Sequence, residues 1–496
     1  MSFLADILLP AGPSRTAGAR LVAALREAID SGRLPAGTRL PSTRALAADL
    51  GLSRGVVVGA YEQLVAEGRL VTRPGSGTVV ASLPEPTASP GPPVSPGPVG
   101  PLPLRPGVPD LGLFPRAAWR RAYDHAVRTV PDHLLDYGDP CGVADLRREL
   151  AAYLGRVRGA RATADQIVVT TGAAQAMTLL ATVLAGQGVT RIGLEDPGSR
   201  AVGQQFARSG LEVVPVPVDA EGIDVDTLAE TGVRAVFVTP AHQFPLGMVL
   251  SPGRRAALVA WARRTGGLVI EDDYDAEFRY DREPVGCVQG LAPDVVALIG
   301  TASKALAPGL RRGWLVVPPG LRAAVTEAKA AADLGESVLE QVAFARLLAT
   351  GDYDRHLRYA RRVHRARRDA VVAALAEHLP PARVHGVAAG LHLVAELGPE
   401  ADDVAIVEAA WSLGLGPLAL SSLRWRSTGP PGLVLGYGAH TPDALREAVH
   451  RLSTVVRSPS PVTGRRSTAR PPRGVDRLLA VTSGPMRPHS RPASAR

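Results

Sequence analysis

Lysine is nearly missing from this chain. Its 496 residues hold two, Lys304 and Lys329, against fifty-four arginines. Positions that ask only for positive charge have been filled by arginine. A guanidinium stays protonated and cannot form an imine, whereas a desolvated amine can lose its proton and attack a carbonyl. A surviving lysine is therefore a candidate for amine chemistry, and Lys304, behind an apolar run, is the one to weigh. Lys329 lies in an Ala-rich helical stretch and reads as a solvated surface charge. Cysteine is scarce too. Cys141 and Cys287 are far apart and lack metal-ligand spacing, which excludes a disulfide framework and points to a reducing cytoplasm. No apolar run reaches the roughly 18 residues of a membrane span. The start of the chain has no basic segment leading into an apolar core, so no signal peptide is expected.

The net charge of +9 is unevenly spread. Residues 457–496 carry nine Arg and one acid, rich in Pro and Ser besides, and read as a disordered basic tail. Residues 1–80 carry nine Arg against six acids, a modest basic bias compatible with nucleic acid. Residues 83–103 are Pro, Ser, Gly and small apolar residues, an extended linker without a core. The expected domains are thus 1–82, 104–456 and the tail.

Within the first domain, residues 15–31 have the period of an amphipathic helix, with Leu21, Val22, Leu25 and Ile29 on one face. Ser42 caps a second helix that Gly51 ends, and Ser53 caps a third whose buried stripe is Val57, Tyr61, Leu64 and Val65. Residues 70–72 and 78–81 flank Pro74-Gly75-Ser76-Gly77 as a hairpin. This α-rich pattern is a winged helix-turn-helix. The third helix should enter the major groove by its amino end, where Ser53 and Arg54 stand. Arg44 opens the preceding helix, and Arg73 leads into the wing glycines Gly75 and Gly77.

From 104 onward strands alternate with helices: 167–171, 191–195, 213–218, 235–238, 268–270, 295–299 and 314–317 read as strands, with helices such as 174–184 and 254–264 between. That alternation predicts an α/β domain with a mostly parallel sheet covered on both faces. Residues from about 325 to 450 read as a long helix and a smaller α/β lobe. Glu271-Asp272-Asp273-Tyr274-Asp275 ends one strand and Thr301-Ala302-Ser303-Lys304 another, at the sheet edge where open α/β folds bind ligands. An imine-forming Lys, an acid for a pyridinium nitrogen and donors for a phosphate are what pyridoxal 5'-phosphate needs. A metal site on the acids would need His ligands, and none lies near in sequence. Thr171-Gly172-Ala173-Ala174 ends a strand and opens a helix, so its free amides suit a phosphate.

Residues 271–280 together with Gly300-Thr301-Ala302-Ser303-Lys304-Ala305-Leu306-Ala307-Pro308-Gly309-Leu310-Arg311 resemble the MocR/GabR family, transcription regulators with a GntR-type head fused to an aminotransferase-like body. The head motifs Leu40-Pro41-Ser42-Thr43-Arg44, Leu52-Ser53-Arg54 and Gly75-Ser76-Gly77-Thr78 resemble GntR heads. The likeness spans roughly residues 15–450. It implies a fold-type I aminotransferase-like domain holding pyridoxal 5'-phosphate as an internal aldimine on Lys304. Asp272 would face the ring nitrogen and Tyr274 the phenolic oxygen. Gly172, Ala173, Ala174, Thr301, Ser303 and Arg311 would cup the phosphate, and Tyr137 would reach the phosphate of a neighbouring subunit, which makes the body a homodimer. Asp273 and Asp275 would be structural. Arg44 and Arg54 would contact promoter DNA. Ser199 replaces an aromatic that many relatives carry, Gly55 and Val58 replace residues often polar, and Leu433 falls where aminotransferases place a carboxylate-binding Arg; Arg424 and Arg426 are the nearby substitutes. The expected function is a cytoplasmic DNA-binding regulator that responds to pyridoxal phosphate or an amine effector, with vitamin B6 or amino-acid metabolism as candidate outputs. The rival is a catalytic aminotransferase with an accessory head.

Overall fold

The Ser and Gly punctuation of the head is where its chain turns. The computed structural model of the protein describes residues 16–73, 77–82, 102–281 and 285–457. The chain divides into two units between Ser95 and Pro96. Gly75, most of the 83–103 linker and the tail beyond 457 lie outside the described residues.

The first unit runs α1 (Ala17–Asp30), α2 (Thr43–Leu50), α3 (Arg54–Ala66), β1 (Leu70–Arg73) and β2 (Gly77–Val80). Ser42 Oγ accepts from the Ala45 amide at 3.2 Å, and Gly51 ends α2 at φ +63°. Ser53 occupies the N-cap of α3 but makes no capping bond, a departure from expectation that leaves its exposed hydroxyl free. Leu25, Leu46, Val57 and Leu64 form the core, and Tyr61 Oη donates to the Pro41 carbonyl at 3.0 Å, tying α3 to the turn before α2. Val65, expected to be buried, is 38% exposed. The stripe that packs is Val57, Ala60, Tyr61 and Leu64, and Val65 falls one step past its edge. β1 and β2 pair antiparallel from Leu70–Val80 to Arg73–Gly77.

The second unit continues with α4 (Arg116–Thr129), α5 (Ala144–Arg158), β3 (Ile167–Thr170), α6 (Ala173–Gly186), β4 (Arg191–Asp196), α7 (Arg200–Arg208), β5 (Glu212–Asp219), β6 (Gly222–Ile223), α8 (Val225–Glu230), β7 (Ala235–Val238), α9 (Pro252–Thr265), β8 (Leu268–Asp273), β9 (Val296–Thr301) and β10 (Gly313–Val316). Eight strands form one sheet in the order β3-β10-β9-β8-β7-β4-β5-β6. β5, β4, β7, β8 and β9 are parallel, as the alternation predicts. β10 runs antiparallel between β3 and β9, because residues 302–312 are too few for a helical crossover. The pleat sorts the apolar strands by face. Ala235, Phe237, Leu268 and Ile270 pack with α6 residues, while Val236, Val238 and Val269 pack with Leu258 and Val259 of α9. Burial on both faces explains why these strands read as unbroken apolar runs.

The expected long helix is three: α10 (Arg322–Asp333), α11 (Val338–Ala349) and α12 (Asp352–His378). The chain breaks at Leu334 and Gly335, both at positive φ, and at Gly351, φ +68°. A four-stranded antiparallel sheet follows, built from β11 (Arg383–His385), β12 (His392–Glu396), β13 (Leu418–Ala419) and β14 (Gly432–Gly436) in the order β11-β12-β14-β13, with α13 (Asp403–Ser412) and α14 (Pro442–Arg457). Leu104 bridges Gly436, which draws residues 104–107 onto this lobe and brings Gly107 beside Lys304.

At the carboxyl end of β8, Asp273 is held by Arg158 of α5 through two bonds of 2.7 and 2.8 Å, with side chains only 6% and 2% exposed. Removing one member of such a pair strands the other charge in the interior. Arg158→Met should lower unfolding free energy by about 3–5 kcal/mol, read by urea denaturation; a loss under about 1 kcal/mol would show that the pair does not anchor β8.

Candidate cofactor site and nucleic-acid interface

Four strand ends and one helix start converge on a cavity of about 310 Å3. β8 contributes Asp272, and Tyr274 follows it; β9 contributes Thr301, with Ser303 and Lys304 just beyond; β4 contributes Leu194 and Glu195, and β7 Phe237. Ala173 and Ala174 open α6, and Arg311 and Gly107 complete the wall. The sequence-predicted residues Lys304, Asp272, Tyr274, Ala173, Ala174, Thr301, Ser303 and Arg311 thus line one cavity, and Gly172 lies against Arg311.

Lys304 Nζ donates to the Gly107 carbonyl at 2.5 Å. Its burial beneath the cavity holds the amine below the usual lysine range, against the opposing pull of Asp275 and Asp272. Asp272 is pushed up to about 8 by burial, with Asp273 and Asp275 adding to the shift. Its Oδ1 is buried without a hydrogen-bond partner, an acceptor waiting for a donor. A pyridinium N–H is a donor of the right kind. Gly172 precedes α6 at φ +105°, and a Cβ there would meet the Arg311 guanidinium at 3.0 Å, so only glycine lets Arg311 lie over the helix start. The Ala173 and Ala174 amides at the start of α6 have no preceding turn to bond, and with Arg311, Thr301 and Ser303 they form a donor set suited to an anion. Thr301 Oγ1 lies 2.9 Å from Ser303 Oγ. These donors fit a phosphorylated pyridoxal.

Tyr274 Oη donates to the His242 carbonyl at 3.1 Å and lies 3.2 Å from His242 Nδ1. His242 Nδ1 also meets Asp275 Oδ2 at 3.0 Å, and the His392 ring lies 4.9 Å from the His242 ring, tilted by 44°. The sequence reading found no His near the acids; the fold brings two from distant segments, with ligating atoms within 4.8 Å of one another. Those atoms are engaged in hydrogen bonds, His392 with the Pro245 carbonyl at 3.1 Å, and burial lowers His392 to about 4. The cluster thus braces Tyr274. Asp275 lies in it, and Asp273 is spent on Arg158, as structural acids would be.

Other expectations need correction. Lys329 is not a solvated charge: it is fully buried, with Nζ bonded to Gln175, Asp333 and Glu336. The Ala-rich pattern hid this because, beside Asp333 one turn on in α10, its acceptors come from α6 and from the turn after α10. Arg424 bonds the Pro430 carbonyl at 2.9 Å and Arg426 is exposed; neither lines the cavity. Leu433 packs in the main core, and it is Val434 that shares a cluster with the cavity residue Phe244. Tyr137 is 83% exposed and outside the cavity of its own chain. Sequence reasoning missed Glu195, whose carboxyl accepts from Thr239 and Gln243 and rises to about 7 on burial. It missed Arg105 as well, which lines an adjoining cavity of about 290 Å3 that shares Gly107, Ser199, Phe244 and Lys304. No local pattern marked either.

On the head, Arg44, Ser53, Arg54, Arg73 and Gly77 are exposed. Arg26 pairs with Glu67 at 2.5 Å and Arg69 with Asp30, whereas Arg44, Arg54 and Arg73 make no ion pair among the described residues. Arg39, also unremarked in the sequence, bridges to Val79 and lies against Gly77 at the base of the wing.

Fold and cavity together define a winged-helix head joined to a fold-type I aminotransferase-like body. Residues 17–80 match the family of bacterial regulatory proteins of the gntR type, and residues 109–421 match aminotransferase class I and II. The chain is 36% identical to the HTH-type pyridoxine biosynthesis transcriptional regulator PdxR of Corynebacterium glutamicum, over 91% of this chain and 99% of that one. It is 32% identical to the probable rhizopine catabolism regulatory protein MocR of Rhizobium meliloti, over 86% and 91%. Among solved structures it resembles an archaeal alanine:glyoxylate aminotransferase (25% identity, TM-score 0.67, 73% of this chain and 91% of that one) and a kynurenine aminotransferase of Pyrococcus horikoshii (26%, 0.66, 72% and 91%). The chain therefore belongs to the MocR-type transcriptional regulators, which join a GntR head to an aminotransferase class I and II body. That body implies dependence on pyridoxal phosphate. No helix among the described residues is long and apolar enough to cross a membrane.

A carboxyl whose folded value is raised is most stable protonated, so its share of stability is present at low pH and is lost as pH climbs towards that value. For Asp272 this window runs from its ordinary range up to about 8. In the cofactor-free protein, Asp272→Asn should therefore raise the melting temperature, with a gain that grows from about pH 5 to about pH 8. A pH-independent gain would mean that Asp272 is not the group ionising.

Proposed function

We propose that this regulator carries pyridoxal 5'-phosphate on Lys304 and reads its own cofactor, or an amine that displaces Lys304 from it, as the signal. The observation that carries the reading is the unpartnered Oδ1 of Asp272, in the same cavity as a lysine held below its usual range. When bound, the cofactor supplies an aldehyde that condenses with an amine. The chain's own residues do the rest. Asp272 holds the ring nitrogen protonated, Tyr274 with its His242–Asp275 brace meets the phenolic oxygen, and the α6 start with Thr301, Ser303 and Arg311 holds the phosphate. Exposed Tyr137 suits a role on a partner subunit's phosphate, so the working unit is a homodimer. Arg44, Ser53, Arg54 and Arg73, with the wing glycines Gly75 and Gly77, face promoter DNA, and the 83–103 segment links head to body. The relative's link to pyridoxine biosynthesis makes vitamin B6 supply the favoured output, in a cytoplasmic setting.

The cations lining the main cavity are Lys304 and Arg311, both assigned. An amine effector with an acid group would find its cation in Arg105 of the adjoining cavity. A transaminating enzyme is the second reading, favoured by the intact cavity; robust turnover of amino donors without specific DNA retention would select it.

Titrating the protein on its own upstream DNA, with and without pyridoxal phosphate, tests the proposal. The affinity should change by about fivefold or more, and Lys304→Ala should abolish the change. An affinity indifferent to the cofactor would contradict it. Arg54→Ala should cost about 1–3 kcal/mol of specific binding while nonspecific binding changes less; unchanged specific binding would refute this docking.

A further inference from the structure

The second lysine stands apart from the cavity and yet touches what builds it. Lys329 is fully buried in α10, and Nζ donates to Gln175 Oε1 at 3.1 Å, Asp333 Oδ2 at 2.6 Å and Glu336 Oε1 at 2.8 Å. Gln175 is the third residue of α6. Its Oε1 also accepts from the Thr171 amide at 2.9 Å, and its Nε2 donates to Asp333 at 2.5 Å. The side chain thus fixes the strand-to-helix turn that presents the cup amides. On the other side Glu336 Oε2 accepts from Arg312 at 3.0 Å, with side chains 5% and 6% exposed. The Arg312 carbonyl in turn accepts from the Ala302 amide at 3.0 Å and lies 3.2 Å from Thr301 Oγ1. Arg311, next in the chain, points into the cavity.

We infer that Lys329 is a positioning residue for the phosphate cup: the chain Thr171–Gln175–Lys329–Glu336–Arg312–Thr301 locks its two walls, the α6 start and the turn after β9, at one separation. The inference rests on the cofactor reading above. It also explains why lysine persists here in a chain that otherwise uses arginine. A compact ammonium directs three donors at three converging acceptors, while a guanidinium is larger, planar and matched to carboxylate forks. Phosphate binding at a helix start depends on donors already aimed at the oxygens, so a loosened cup costs affinity for phosphate and little for the ring.

The two vitamers that differ only in phosphate separate this from plain structural support. Pyridoxal phosphate and pyridoxal are titrated against the full-length protein by the absorbance of the bound vitamer, for the wild type, Lys329→Met and Gln175→Leu. Gln175 is part-exposed, and its variant keeps Lys329 paired with two acids if Lys329→Met fails to fold. Both variants should lose about tenfold in pyridoxal phosphate affinity, with pyridoxal affinity within about twofold of the wild type. Equal losses for both vitamers, or an unchanged preference for the phosphorylated one, would overturn the inference. A wild type that binds neither vitamer, or both equally, would instead remove the cup and the cofactor reading beneath it.

Discussion

An amine in water at neutral pH is an ammonium, and an ammonium attacks nothing. In the body of this protein one side chain, Lys304, is biased by burial towards giving up that proton. Lys304 stands where β9 ends, below a cavity closed by apolar residues from β4 and β7, and burial outweighs the two nearby carboxylates that would keep it charged. A surface site would be useless for this purpose however many acids or arginines surrounded it. The parallel sheet makes such a position available, because the carboxyl ends of its strands open into one crevice.

Given that amine, the neighbours divide by task. Adjacent residues on β8 illustrate it. Asp272 lines the cavity with an unsatisfied oxygen, Asp273 turns away to a buried arginine, and Glu271 is closed off by the amides of Val288 and Gln289. A left-handed turn at Arg311, φ +49°, rather than a pleat, separates Arg311, which lines the cavity, from Arg312, paired with Glu336 behind it. Runs of like residues are therefore split by local backbone geometry into a cavity-lining and a supporting set.

What was legible in the sequence was what is local or periodic: the helix caps at Ser42 and Gly51, the strand–helix alternation, and the acids and Lys304 at strand ends. The antiparallel run of β10 was not, since periodicity carries no direction. Lys329 was misread because two of its three acceptors, Gln175 and Glu336, lie outside its helix, and an Ala-rich helix reads the same whether its lysine meets water or Glu336. The His242–Asp275–His392 cluster escaped for the same reason: its members are brought together from three separate segments. Ser53 looked like a helix cap and stands at the capping position, but its exposed hydroxyl makes no capping bond. Charge was informative only when dissected, because the body is near neutral and the excess sits in residues 457–496.

A cofactor-reading regulator of this design needs covalent attachment at one residue. Purified protein soaked in pyridoxal phosphate, reduced with borohydride, digested and mapped should carry a pyridoxyl group on the peptide containing Lys304, and none on Lys329. A label on Lys329, or a Lys304 peptide left unmodified at saturating cofactor, would contradict it.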